Sequence, residues 1–225
     1  MREAFADRLA ELEQQVGGEL AAAVLTLGKI AEAVGDPTEE KCEAIAQAGE
    51  RLRRASYGID RDLVTITARQ APVASDLRLV LALLQLAHTL GLIGNQFDLI
   101  GHELADIDSD VRDRRRTSER IASMATLAGS QLQHAAMVFA ARDLAGARRI
   151  DREDDALDRL NREVFETTLE LEDAAHRELA LRHVLIARSL ERVGDNAVDI
   201  AEQAAFLITT ELREFTDASR PKRKT

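Results

Sequence analysis

With 225 residues, 24.8 kDa and a formal charge of −10, the chain can build a substantial core or two small bundles. Its acidity (pI near 5.1) argues against general nucleic-acid binding, which needs a basic footprint. Hydrophobic residues make up 45% but aromatics only 3%, with no Trp and three Pro, the composition of an all-helical protein. A single cysteine, Cys42, rules out an intrachain disulfide and a thiolate metal cage; it reads as a small buried helix residue.

The N-terminus carries acidic residues and no apolar signal core. The longest apolar stretches, such as Leu79 to Leu86, fall short of the roughly 20 residues that span a bilayer. A soluble, cytoplasmic protein is expected.

Helical periodicity runs from Glu3 to about Val34. Gly35-Asp36-Pro37-Thr38 breaks it, with Asp36 as N-cap and Pro37 as the first residue of a second helix reaching about Gln70. Pro72 ends that ladder and Ser75 caps a third helix that reaches about His102. Asp106 to Arg116 is the polar middle and the expected boundary. A fourth helix starts near Thr117 or Ser118 and ends near Arg142. Asp143 caps a fifth, reaching about Leu171, and a sixth runs from about Ala174 to Leu212.

Shifted by 100 residues, the chain repeats itself. Leu79, Leu84, Ile93, Gly94 and Ile100 fall on Leu179, Val184, Val193, Gly194 and Ile200. With a shift of about 105, Ile45, Glu50, Leu52 and Ile59 fall on Ile150, Asp155, Leu157 and Val164. The expected architecture is all-α: six helices in two similar three-helix bundles, at 1–105 and 106–213. A basic tail at 214–225 is read as disordered.

The second half carries the chemistry. Glu191, Asp195 and Asp199 stand four apart on one helix face, an acidic ladder that needs a basic partner, solvent or a cation to offset it. On the fifth helix, Asp154, Asp155 and Asp158 lie beside the apolar positions Ile150 and Leu157. If the two helices are antiparallel neighbours, the acids face each other, and all-oxygen donors suit Mg, Ca, Mn or iron. The alternative is pairing with arginines such as Arg152, Arg159 and Arg192. At the aligned first-half positions stand Gly91, Asn95, Leu99 and Arg53, with Glu50 alone surviving as an acid. One metal-binding half and one half without a site are expected.

The histidines, His88, His102, His134, His176 and His183, are scattered, and no pair of Glu-x-x-His motifs points to a di-iron oxidase. No phosphate loop or nucleophile motif adds positive evidence for catalysis.

Three segments carry a resemblance that covers nearly the whole chain: Arg69 to Arg78 at the turn into the third helix, Asp154-Asp155-Ala-Leu-Asp158, and Ser189 to Ala201. Together they resemble the PhoU family of bacterial phosphate regulation. The resemblance implies two three-helix bundles related by a pseudo-twofold, with metal clusters on the bundle surface. It matches Asp154 with Asp158, and Glu191 with Asp195, to the family's acidic motifs. The broken first-half pattern restricts the expected cofactor, a divalent or trivalent metal ion (iron, Mn, Mg or Zn), to the second half. The implied function is a non-enzymatic adaptor between a phosphate ABC transporter and a sensor histidine kinase, repressing the phosphate-starvation response. Membrane contact comes only through these partners, no nucleic acid is involved, and a homodimer is left open. A metal phosphohydrolase, a metal store and a purely structural bundle are the competing readings.

Overall fold

The computed structural model describes residues 2–70, 72–107, 115–169 and 174–211, with side chains except at 2, 115, 116, 151, 152, 169 and 174–177. The tail at 214–225 and most of the central polar segment lie outside the described residues. Six helices follow in order: α1 (Arg2–Gly35), α2 (Glu39–Arg69), α3 (Ser75–Ala105), α4 (Arg115–Ala141), α5 (Leu144–Leu169) and α6 (Ala174–Thr209). No strand occurs among the described residues.

Each helix buries one stripe set by its apolar spacing. On α1, Phe5, Leu9, Leu12, Val16, Leu20, Ala23, Leu27 and Ile30 recur every three or four residues, and all are buried. The helices pack as an inner ring in which α1 meets α4, α4 meets α6, α6 meets α3 and α3 meets α1. The remaining two lie outside the ring, α2 on α3 and α1, and α5 on α6 and α4. The two three-helix bundles therefore share one continuous hydrophobic core.

Helix ends differ in detail from the sequence reading. Thr38, not Asp36, is the N-cap of α2: its hydroxyl accepts from the Lys41 N–H at 3.3 Å. Asp36 instead pairs with the Lys41 ammonium at 2.8 Å. Ser75 is the first residue of α3, not its cap; Ala74 stands at the cap with φ 49° and no side-chain bond. Asp143 caps α5 as expected, accepting from the Ala145 N–H at 3.0 Å.

Arg142, just ahead of it, has φ 54°. That left-handed backbone is held by its guanidinium, which bonds Glu13 of α1 at 2.6 Å and the Phe139 carbonyl at 2.5 Å.

At 31 residues, α3 is long and apolar enough to cross a membrane by length and composition alone, which modifies the expectation drawn from Leu79 to Leu86. Polar Gln85, His88, Asn95 and Gln96 interrupt the run. Half of its most apolar window is buried inside the molecule, as befits a central core helix.

Candidate functional site

The acids of α5 and α6 meet where the two helices pack. Asp154 is 8% exposed, Asp158 6% and Glu191 5%, so three carboxylates are held nearly out of water. Burying even one carboxylate is costly without a compensating partner. Glu191 Oε1 accepts from the Arg188 guanidinium, three residues back on α6. Its Oε2 is buried with no hydrogen-bond partner.

Desolvation pushes the Glu191 carboxyl up, with Asp158 and Asp154 adding to the rise while Arg188 and Arg192 oppose it. Asp195 is exposed as a residue. Even so, its carboxyl is pushed up to about 7, by desolvation first and then by the charges of Glu191, Asp154 and Asp158. The crowding of the carboxyl outweighs the exposure of the residue as a whole.

Four of the six predicted residues thus form one strip: Asp154, Asp158, Glu191 and Asp195. Asp155 points away and is exposed, because it sits one position, about 100° of helix, past Asp154. Asp199 lies one turn further along α6 and is half-buried. Of the arginines named as alternative partners, Arg159 and Arg192 are exposed, Arg192 still drawing the Glu191 carboxyl down, and the Arg152 side chain lies outside the described residues.

The residues missed by sequence are Arg188 and Gln131. Arg188 is the i−3 partner of Glu191, a spacing legible in the chain. Gln131 belongs to α4, and its Nε2 donates to Asp154 Oδ1 at 3.0 Å.

As a donor set, buried carboxylates with one unpartnered oxygen fit a hard cation better than a soft one. Among the described residues, no three His, Cys, Asp or Glu side chains already converge on a single ion position. What the two helices supply is a shared carboxylate strip, three of its acids nearly buried.

The aligned face of the first half is built differently. Arg53 of α2 bonds Glu50 at 2.5 Å and Asp98 of α3 at 3.2 Å. Glu50 also accepts from Arg54 at 2.7 Å. At the position aligned with Asp154 stands Gly49, where an added Cβ would lie 2.4 Å from the Gly94 carbonyl oxygen and 2.8 Å from the Asp98 nitrogen. So α2 and α3 cross backbone to backbone, while in the second half Asp154 occupies the corresponding space against Gly194. A guanidinium balances the acids here.

Comparison with known proteins agrees with the repeat and the fold. The PhoU domain matches twice, over residues 19–102 and 121–204. A Methanothermobacter thermautotrophicus protein named phosphate-specific transport system accessory protein PhoU homolog 1 is 29% identical over 182 residues, covering 77% of this chain and 80% of that protein. The Mycobacterium tuberculosis PhoU homolog 2 is 25% identical over 213 residues, covering 93% and 98%. Two crystal structures share the fold. Streptococcus pneumoniae PhoU matches with a TM-score of 0.84 at 22% identity, covering 94% of this chain and 100% of that one. Pseudomonas aeruginosa PhoU matches with a TM-score of 0.73 at 23% identity, covering 93% and 97%. With one domain match in each three-helix half, the chain belongs to the PhoU family.

Proposed function

We propose that this chain is a regulatory accessory protein of phosphate uptake, acting as a non-enzymatic adaptor between a phosphate ABC transporter and a sensor histidine kinase. In that role it represses the phosphate-starvation response and works in the cytoplasm. The observation that supports the reading most is the presence of a PhoU domain in each half, in a chain whose relatives are named phosphate-specific transport system accessory proteins.

Its ligand is a metal ion of the divalent or trivalent class, taken up by the second-half strip. Asp154, Asp158, Glu191 and Asp195 would hold it, with Asp199 extending the strip by a turn. When bound, the ion would supply positive charge to these acids and open positions for an anionic oxygen. Arg188 orients Glu191 by fixing Oε1, leaving Oε2 for the ion. The first half contributes a docking face whose acids Arg53 has already balanced.

Two experiments test this. Elemental mass spectrometry of protein purified without chelator should find metal that is absent from Glu191→Ala/Asp195→Ala, with the helical spectrum retained; equal metal in both would remove these ligands. Deleting the gene should raise a phosphate-starvation reporter in phosphate-replete cells, and the intact gene should restore repression. A reporter indifferent to the deletion would overturn the adaptor role.

A further inference from the structure

Two helix crossings related by the repeat are finished differently. The shift of 105 residues that lays α2 on α5 also lays α1 on α4. It carries the buried positions Val16, Leu20, Ala23 and Leu27 onto Ile121, Ala125, Ala128 and Leu132, all buried as well. In the second half His134 of α4 faces Glu153 of α5, with the ring Nδ1 2.9 Å from the carboxylate. The same positions in the first half hold Lys29 and Ala48. The base is kept and the acid is gone.

Between α1 and α2 there is instead a cleft of about 260 Å3, lined among others by Glu19, Ala22, Thr26, Lys29, Ala48 and Arg51. Arg51 adds a second cation where the second half has Ala156. Lys29 and Arg51 are both exposed, and neither forms an ion pair among the described residues. The acceptors in the cleft are equally informative. Burial pushes the Glu19 carboxyl up and Arg51 draws it back down. Thr26 spends its hydroxyl proton on the Ala22 carbonyl at 2.9 Å, so its oxygen can only accept. An anion bound here must bring a hydrogen of its own.

We infer that the α1–α2 cleft binds a small phosphoryl oxyanion that carries a hydroxyl, whether free hydrogenphosphate or a hydroxylated monoester, held by Lys29 and Arg51 while Glu19 accepts from the hydroxyl. The two cations supply charge-assisted bonds to the phosphoryl oxygens, and Arg51 can do so with two parallel N–H groups. Glu19 supplies selectivity, because an anion without a proton to give leaves that carboxylate unpaired and facing like charge. Sulfate at neutral pH is such an anion. The inference uses neither the metal strip of the second half nor the adaptor role.

The test is isothermal titration calorimetry on the full chain, metal-free so that the α5–α6 strip cannot recruit an anion through an ion. Inorganic phosphate should bind saturably and more tightly than sulfate. Lys29→Met and Arg51→Met, at exposed positions away from the core, should each weaken it about 10–100-fold. Glu19→Gln should narrow the preference over sulfate. Ala48→Glu restores the acid that Glu153 provides in the second half; it should pair with Lys29 and abolish binding while the Tm is held. Glycerol 3-phosphate distinguishes the two sources: binding tighter than phosphate assigns the cleft to monoesters, and weaker binding assigns it to the free ion. Absence of saturable binding of either ligand by wild type overturns the inference and leaves the metal and adaptor readings standing. Affinity unchanged in both methionine variants overturns it as well.

Discussion

Asp195 shows how a crowded strip governs stability. Its folded pKa of about 7 lies above the ordinary 3.8, so between these values the folded chain keeps a proton that the unfolded chain has released. The stabilisation is complete below about 3.8 and lost as pH rises through about 7. Glu191 shifts in the same direction. The Tm of metal-free protein, followed by calorimetry, is therefore expected to fall from pH 5 to pH 8, and Asp195→Asn should flatten most of that slope. A second consequence sits at Gly49, whose missing Cβ permits the crossing with Gly94. Gly49→Ala should cost about 1–3 kcal/mol in urea unfolding, because backbone rather than a flexible tail must move.

Between elements, the two halves use the same helices to different ends. In α2 and α3 glycines bring the backbones together and Arg53 balances the acids; at the α5–α6 crossing the side chains of Leu157 and Asp154, with Gln131 from α4, pack against Gly194. Restoring a single acid should not restore a site. Arg53→Asp is expected to leave the metal content per chain unchanged, since Gly49 has no room for a counterpart of Asp154. It should also lower stability by leaving Glu50 and Asp98 with a third like charge nearby. Elemental analysis beside thermal melting separates the two effects.

For the whole molecule, the decisive feature is that one core runs through both halves. Ion pairs reinforce the joint: Arg182 of α6 bonds Glu103 of α3 at 3.1 Å and Asp106 at 2.9 Å. Leu190 is fully buried in α6, a helix of the inner ring. Leu190→Asp would place an unpaired charge there and is expected to unfold the entire chain in one transition, instead of the second bundle alone. Two separated melting steps in that variant would show the halves to be independent.

Much of this was written in the chain. Helical periodicity placed all six helices, because an apolar stripe must face a core wherever that core lies, and the 100-residue self-match exposed the repeat. The i, i+4 spacing brought Glu191 and Asp195 onto one face and Asp154 and Asp158 onto another. Local spacing did not show that Asp155 is exposed on α5, and it placed the α2 cap at Asp36 where Thr38 makes the bond. Periodicity within one helix carries no information about which neighbour covers it. Only the tertiary structure could set Gln131 of α4 against Asp154, give Arg53 its acid across the α2–α3 gap, and merge the two bundles into one core. Those contacts join residues 23 and more positions apart, at distances fixed by packing.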